Sequence, residues 1–197
     1  MVRKNHLESS SLMEWLIDLG FYSMDVLGLP SLFEFLYTLA CPKVRLLNEE
    51  EKKYVSKYFR NKVNVSNVRI CPNMPSSFMK RTMAFVTFNT IHFNERISVP
   101  VFIHEMVHIW QYQKFGSVYI YRSLQAQNSK EGYDYGGLES LYNKMLSNYT
   151  FTAFNFEQQG EIFEDYCRLK EGDSIENPLA FASYEYFIGQ VRDVESA

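Results

Sequence analysis

The sequence has few cysteines and no closely spaced pair of them. Cys41, Cys71 and Cys167 are an odd number, and no C-x-x-C spacing occurs. We therefore expect neither a disulfide framework nor a cysteine-ligated zinc site, and we expect the three cysteines to be small buried hydrophobic residues. An excess of positive charge is also missing, because the net charge is -3. Without a basic stripe along a helix, nucleic acid is not expected as a partner.

A long uncharged apolar run is absent as well. Residues 11–40 are apolar but contain four acids, Glu14, Asp18, Asp25 and Glu34. A transmembrane helix needs about 20 nearly uncharged residues, and a signal peptide needs a small-residue cleavage site, so neither is expected. One or two amphipathic helices packing on the protein's own domain are favoured, with contact to a membrane or a partner protein as the alternative. The compartment stays open between the cytoplasm and secretion without a cleaved signal.

Composition and local patterns favour an α+β fold. The chain has 197 residues, of which 46% are apolar and 16% aromatic, as in a folded domain with a sizeable core. The fold is expected to be mostly helical, with a small sheet before the central helix, and an N-terminal helical segment (1–44) is expected to pack on the main domain (45–197). Helices are predicted at 9–40 with a break near Gly28-Leu29-Pro30, and at 49–60, 101–114, 155–170 and 178–193; strands are predicted at 67–71 and 83–93.

The residues that carry chemistry lie in the segment His104-Glu105-Met106-Val107-His108. On a helix, His104 and His108 are one turn apart on the same face, so two imidazole nitrogens reach one ion at about 2.0–2.1 Å. Glu105 is about 100° around the helix from His104, beside the metal rather than on it. There it can accept a proton from water, whose pKa zinc lowers to about 7. The pattern predicts one catalytic zinc ion, with Glu105 as the general base.

The surroundings of this motif strengthen the prediction. The helix is apolar almost all round, which is typical of a helix buried in a core. Its apolar residues are Val99, Val101, Phe102, Ile103, Met106, Val107, Ile109 and Trp110. Two histidines and a glutamate buried there need partners, because unpaired buried polar groups cost about 1–3 kcal/mol each. A metal is the simplest common partner, and core histidines held by carbonyls and carboxylates are the alternative.

A catalytic zinc site needs a third protein ligand. No histidine follows His108, and Gln111 and Lys114 occupy the places of the glycine and third histidine of HExxHxxGxxH, which excludes that motif. The third ligand must therefore be a carboxylate if it comes from a later helix. The helix predicted at 155–170 has three acids on one face, Glu157, Glu161 and Asp165. The solvated side of an ordinary amphipathic helix has the same pattern, so spacing alone leaves the ligand open.

The motif and the later Glu-x-x-x-acid sequence together resemble the gluzincins, the thermolysin-like zinc peptidases. This resemblance implies a zincin-like domain in which Glu157 is the third zinc ligand and Glu161 supports a motif histidine. The sequence Glu161-Ile-Phe-Glu-Asp165 fits the same template one turn later, so Glu161 as the ligand is the alternative.

Residues 45–170 also resemble small bacterial metallopeptidase domains of unassigned function that occur in Rhs and polymorphic-toxin proteins. The likeness rests on Thr87 to Phe93, on the HExxH segment continued by Ile-Trp-Gln, and on Asn155-Phe-Glu-Gln-Gln-Gly, and it favours Glu157 as the ligand. Phe88 departs from the glycine that is frequent in those domains. Rhs and repeat regions are also absent from this sequence, which weakens the inference that it is a toxin.

The resemblance also implies a substrate strand and an oxyanion donor. In zincins the strand before the active-site helix is a sheet edge, to which a substrate peptide adds as an extra strand. Residues 83–93 take that place, with Phe85, Thr87 and Asn89 as the substrate-binding positions; a plain core strand is the alternative. The oxyanion donor is usually His or Tyr. This role is left open among Tyr133, Tyr135, Tyr149, Tyr184 and Tyr186.

The sequence therefore predicts a zinc-dependent peptidase that hydrolyses peptide bonds in a peptide or protein substrate. The alternative is a non-catalytic zinc-binding interaction domain on a zincin scaffold. Glu105 separates the two, because degenerate sites often lose this residue and here it is intact. A helical structural protein without a metal is a third interpretation, against which the buried histidine pair argues. Neither the cleavage specificity nor the oligomeric state is predicted.

Overall fold

The fold is α+β, as predicted, with a small mixed sheet among helices. The computed structural model describes residues 12–72, 84–94, 96–172 and 178–193. Their helices are α1 (Leu12–Val26), α2 (Leu29–Ala40), α3 (Glu49–Phe59), α4 (Val99–Phe115), α5 (Val118–Gln127), α6 (Gly137–Leu146), α7 (Phe156–Glu171) and α8 (Pro178–Arg192). Their strands are β1 (Arg45–Leu46), β2 (Arg69–Cys71), β3 (Ala84–Thr87) and β4 (Thr90–Phe93).

The four strands lie in the order β1-β2-β4-β3. Strand β2 is parallel to β4, whereas β1 with β2 and β3 with β4 are antiparallel. The prediction of one strand over 83–93 is wrong, because the chain turns at Phe88-Asn89 and returns as β4. Phe88 has a φ of 54°, at a turn position where glycine is usual, so no glycine marks this turn in the sequence. Strand β3 consequently forms one edge of the sheet.

Three predicted helices, at 49–60, 101–114 and 155–170, are confirmed, and a capping side chain lies at the start of each. The helix start predicted at residue 9 lies outside the described residues. Asn48 and Glu51 form a reciprocal capping box at the start of α3. Ser98 accepts a hydrogen bond from the N–H of Val101 at the start of α4, and Asn155 caps α7 in the same way. Strand β1 was not predicted because two residues are too short to show a period. The loop predicted after Pro72 lies mostly outside the described residues.

Helix α4 runs through the core, as its apolar sequence predicts. All residues from Phe102 to Gln111 are buried, including the two histidines and the glutamate of the motif. The helix ends at Gly116, whose φ is 76°. Among the described elements, α4 packs most extensively on α7, and it also contacts β3, β4 and α5. The acids of α7, the edge strand β3 and α5 therefore surround the motif.

Helices α1 and α2 join the remainder of the chain through acids. Asp18 pairs with Arg122 of α5, Asp25 accepts hydrogen bonds from Ser117, and Glu34 accepts one from the N–H of Asn89. No single helix in the described ranges is both long and apolar enough to cross a membrane, whereas α1 and α2 together, bent by 60°, meet those criteria. The division of the chain at residue 44 stays a prediction.

The three cysteines are free. Cys71 and Cys167 are buried, as expected, and Cys41 is half-buried at the end of α2. The Cys41 and Cys71 sulfurs lie 3.7 Å apart, close enough for a hydrogen bond between the thiols. None of the three belongs to the His and Glu groups that could hold a metal ion.

Candidate metal centre

Three side chains from α4 and α7 meet in a spacing that could hold a metal ion. Glu157 Oε2 lies 3.6 Å from His104 Nε2 and 3.5 Å from His108 Nε2. All three ligand atoms lie within 4.8 Å of one another. A tetrahedral zinc ion with ligands at about 2.0–2.1 Å holds its ligand atoms about 3.3 Å apart. Direct N–H···O hydrogen bonds are shorter, at about 2.7–3.2 Å. The spacing therefore suits a shared ion better than direct pairing.

Glu157 presents one buried oxygen that has no hydrogen-bond partner. Its Oε1 accepts hydrogen bonds from Ser123 and from Gln127 Nε2 of α5, whereas Oε2 accepts none. Burial acts to raise the pKa of Glu157, but His108, His104 and Ser123 outweigh it and hold the pKa far below its usual range. A charged carboxylate oxygen that is buried without a partner is costly. A cation at this point removes the cost, so the residues fit a bound metal.

His108 has its proton fixed by a chain of amides. Its Nδ1 donates to Gln111 Oε1, 2.8 Å away. The direction of this hydrogen bond follows from the far end of the chain of amides. Gln159 Nε2 donates to the Phe154 carbonyl, and Gln111 Nε2 donates to Gln159 Oε1 and to the Phe156 carbonyl. Backbone carbonyls only accept, so each amide has a single orientation. The proton on Nδ1 leaves the lone pair of Nε2 free to bind a metal.

His104 faces further acids of α7 on its opposite side. Its Nδ1 lies 3.0 Å from Glu164 Oε2 and 3.9 Å from Glu161 Oε2. Nδ1 makes no well-directed hydrogen bond, so the contact with Glu164 is electrostatic. Burial acts to lower the pKa of His104, but Glu157 and Glu164 outweigh it and raise the pKa to about 10. Glu164, which accepts a hydrogen bond from Arg168, therefore lies nearer to His104 Nδ1 than Glu161, the residue expected to support the histidine.

A second group of potential ligands shares one histidine with the first. His104, Glu161 and Glu164 also bring their ligand atoms within 4.8 Å of one another. This group uses His104 Nδ1, and both of its acids already pair with Arg168. An ion there would leave Glu157 Oε2 without a partner. The group of His104, His108 and Glu157 is therefore the better metal site.

Gly160 allows α7 to approach the histidines. A Cβ at this position would lie 2.6 Å from His104 Nε2 and 2.7 Å from its Cε1, closer than real Cβ contacts. The ring of His104 therefore rests directly on the backbone of α7, three residues after Glu157. The glycine of Glu157-Gln-Gln-Gly-Glu161 thus lets the helices come close enough for their side chains to share one ion.

Glu105 is buried beside the candidate ligands. It is 6% exposed, and its Oε2 has no hydrogen-bond partner. Burial raises the pKa of Glu105; the charges of Glu157 and Glu164 act in the same direction, and the two histidines act against them. A carboxylate whose pKa is raised in this way accepts a proton more readily than a solvated one.

A cleft of about 410 Å³ opens over the motif between β3 and α5. Phe85 and Thr87 of β3 line it, together with the motif side chains. Asn89 does not line it, so the cleft gives no support to Asn89 as a substrate position, which stays a prediction. It lies in the hairpin turn, where it bonds to Glu34. From the α5 side, the Tyr119 hydroxyl donates to the Val86 carbonyl on the edge of β3.

Among the five tyrosines considered for the oxyanion role, only Tyr133 lines the cleft. Its ring centre lies 6.0 Å from that of His104, and burial with the charge of Glu157 raises the pKa of its hydroxyl. Tyr135 and Tyr184 instead bond to each other, and Tyr149 donates to the Ala153 carbonyl. Tyr186 stacks edge-on against Phe187.

Several residues of the centre were missed by the sequence analysis. The role of Gln111 could have been predicted, because a residue three positions after His108 lies beside it on the helix and can hydrogen-bond to its ring. Glu164 belongs to the polar face of α7, and nothing in the sequence distinguishes it from the other acids there. Ser123 and Gln127 had no signal, since α5 comes to Glu157 only through the packing of distant segments.

Comparisons with models of protein families, with curated proteins and with solved structures find no match. A function is therefore inferred from the residues of the centre themselves. These are two histidines and one charged carboxylate around a shared point, an adjacent buried carboxylate, and an open cleft lined by an edge strand.

Proposed function

We propose that the protein is a zinc-dependent peptidase of the zincin type, with His104, His108 and Glu157 as ligands and Glu105 as general base. One observation carries the proposal. Glu157 Oε2 is charged, buried and without a hydrogen-bond partner at 3.5 and 3.6 Å from the two Nε2 atoms. That spacing fits a tetrahedral ion and does not fit hydrogen bonds.

The donor set favours zinc over other common ions. Two imidazoles and one carboxylate are the ligands of one of the frequent catalytic zinc sites, in which the fourth position stays open. Magnesium and calcium prefer six or more oxygen ligands, which this site does not supply. When bound, zinc supplies Lewis-acid polarisation of a substrate carbonyl and lowers the pKa of water to about 7.

The protein's own residues supply the proton transfers. Glu105 Oε2 is free to accept the proton of the attacking water, and the raised pKa of Glu105 suits it to pass that proton to the leaving amide nitrogen. The Gln111 chain fixes the neutral tautomer of His108 in which Nε2 carries the lone pair that would bind the metal. Tyr133 is the hydroxyl in the cleft that can donate to the developing oxyanion.

The substrate is proposed to be an extended peptide lying along β3. Edge strands bind peptides through main-chain hydrogen bonds, and the cleft runs beside Ala84 to Thr87. The Val86 carbonyl already accepts a hydrogen bond from the Tyr119 hydroxyl. The peptide therefore has fewer main-chain groups of β3 to pair with than it would have on an unoccupied strand edge. Most of the cleft wall is apolar, which favours apolar side chains next to the cleaved bond.

Metal content and peptidase activity of four proteins test the proposal. The wild type should carry about one zinc per chain by elemental analysis and cleave members of a peptide library. Glu105→Gln should keep the zinc and lose activity by at least about a hundredfold. Glu157→Ala should lose the zinc, and Glu161→Ala should weaken its binding less. If the metal is lost from Glu161→Ala and not from Glu157→Ala, the third ligand is Glu161, one helical turn after the proposed one.

The non-catalytic zinc domain is the competing proposal. It shares the metal site but gives Glu105 no role, so zinc bound without hydrolysis of any library peptide would favour it. The free Oε2 of Glu105 in an open cleft supports the enzyme, because a structural zinc site is closed by a fourth protein ligand. A wild-type chain that takes up no zinc near neutral pH would refute both.

A further inference from the structure

Helices α1 and α2 turn their charged side chains inwards. Residues 12–40, which are all described, contain no base and four acids, none of which is fully exposed. Three of these acids bind the rest of the chain, with Asp18 on Arg122, Asp25 on Ser117 and Glu34 on Asn89. This arrangement is the reverse of an ordinary surface helix, whose charges face water.

The outward sides of the same helices are apolar, and we call them the apolar face. Most of the exposed large hydrophobic side chains of the described ranges belong to it. They include Leu12, Trp15 and Leu16 on α1, Val26 at the bend, and Leu36 and Leu39 on α2. Val26 is 88% exposed and Leu12 is 74% exposed. Soluble proteins rarely leave so continuous an apolar surface in water, which indicates that something covers it.

Two hydroxyl groups of α1 and α2 are satisfied within their own helices. Ser23 donates to the Leu19 carbonyl and Thr38 donates to the Glu34 carbonyl, each one turn earlier. A protein partner is bound through a polar rim that exchanges hydrogen bonds. Because these two hydroxyls donate to the helix backbone, they have no hydrogen bond left to donate to a partner protein. Hydroxyls on helices in lipid are satisfied in the same way.

Cations border the apolar segment in the sequence. Arg3 and Lys4 precede it, and the exposed Lys43 follows it. Basic side chains at the ends of an apolar segment favour the headgroup layer of a bilayer, where their stems lie along apolar surface and their charges reach phosphate. A second copy of this apolar face would offer no phosphate or other anionic group to these basic side chains.

We propose that the apolar face of α1 and α2 lies in the interfacial layer of a lipid bilayer and holds the protein on a membrane surface. The two helices lie in the plane of the interface with their acids directed to the protein and their apolar side chains to the acyl chains. The proposal is independent of the metal centre, so it holds for variants that lack metal ligands.

Vesicle flotation and tryptophan quenching with the full chain test this proposal. The vesicles contain phosphatidylcholine with about a quarter phosphatidylglycerol, and the wild type should float with them. Leu16→Gln and Leu36→Gln should each weaken partitioning about tenfold, since each removes one leucine side chain from lipid. Leu146→Gln is the matched control, because Leu146 is 62% exposed on α6 and should partition as the wild type does.

Tryptophan reports which face enters the bilayer. The chain has two tryptophans, of which Trp15 is 53% exposed on the apolar face and Trp110 is 5% exposed in the core. Brominated lipid should quench the wild type and not Trp15→Phe. The proposal is overturned if the wild type stays in the aqueous fraction, if the leucine variants float equally well, or if the chain forms dimers that Leu16→Gln dissociates and that do not float.

Discussion

At the level of single side chains, the candidate centre depends on which nitrogen of each histidine carries the proton. His108 is fixed by Gln111, whose own amide is oriented by Gln159 and a backbone carbonyl. His104 has only the electrostatic contact with Glu164 on its Nδ1 side. Without metal, the raised pKa of His104 keeps its imidazole protonated near neutral pH, so metal binding must displace that proton.

Gly160 carries a prediction at this scale. Gly160→Ala should weaken zinc binding at least about tenfold, because the new Cβ would lie 2.6 Å from His104 Nε2 and displace the ring. Zinc affinity is measured by competition with a chromophoric chelator. Gly189→Ala is the control, since its Cβ would meet only Asp193 Oδ2 at 3.5 Å. That control should keep the affinity and gain about 0.5–1 kcal/mol of stability. Equal affinities in the two variants would show that Gly160 does not position His104.

At the level of elements, helix starts are held by local side chains. Glu51 accepts hydrogen bonds from the Asn48 N–H and from Arg45 at the start of α3. Burial acts to raise the pKa of Glu51, but Arg45 and Asn48 outweigh it and lower the pKa. A carboxyl whose pKa is lower in the folded state stabilises the fold above its unfolded pKa, and this contribution is lost as the pH falls through the folded value.

Glu51→Gln should therefore destabilise the fold in a pH-dependent way. It removes the charge but keeps an acceptor for the Asn48 N–H, so about 0.5–1 kcal/mol should be lost at pH 7, where solvent screens the pair with Arg45. The difference from the wild type should shrink as the pH falls below about 4. Urea unfolding at several pH values measures it. Glu50→Gln, in the same turn, is the control, and a constant difference across the pH range would contradict the assignment.

The β3–β4 hairpin shows how one element positions others. Its turn allows β3 to form the sheet edge beside the cleft, and Asn89 in the turn is tied to α2 by Glu34. Phe88 keeps a positive φ and packs its ring against Phe33 and Tyr112. Aromatic packing therefore holds a turn conformation that glycine would adopt without it.

At the level of the whole molecule, the candidate metal centre joins the core helices α4 and α7. Zinc should therefore stabilise the folded chain against unfolding. At a zinc concentration about 1,000 times the Kd, binding adds about 4 kcal/mol, which raises Tm by about 8–16 °C for a chain of this size. Differential scanning fluorimetry with and without zinc measures the shift. His108→Ala should show almost none, and a similar shift in that variant would place the stabilising zinc elsewhere.

The sequence by itself determined the features that depend on near neighbours in the chain. The spacing of His104 and His108 places both on one face of a helix, and the apolar residues between them require that this helix be buried. Asn48 and Ser98 mark helix starts because a cap binds an N–H only three residues away. The mostly helical α+β class follows from the same local patterns.

The tertiary structure alone decided which distant groups meet. It brings Glu157 rather than Glu161 to the two Nε2 atoms and places Glu164 behind His104, because Gly160 lets α7 approach α4 at that turn. It also divides the segment predicted as one strand into the β3–β4 hairpin. On α1 and α2 it leaves many apolar side chains exposed and directs the acids towards the rest of the chain. Helical periodicity shows which residues share a face, but which partner that face meets depends on packing between segments far apart in the chain.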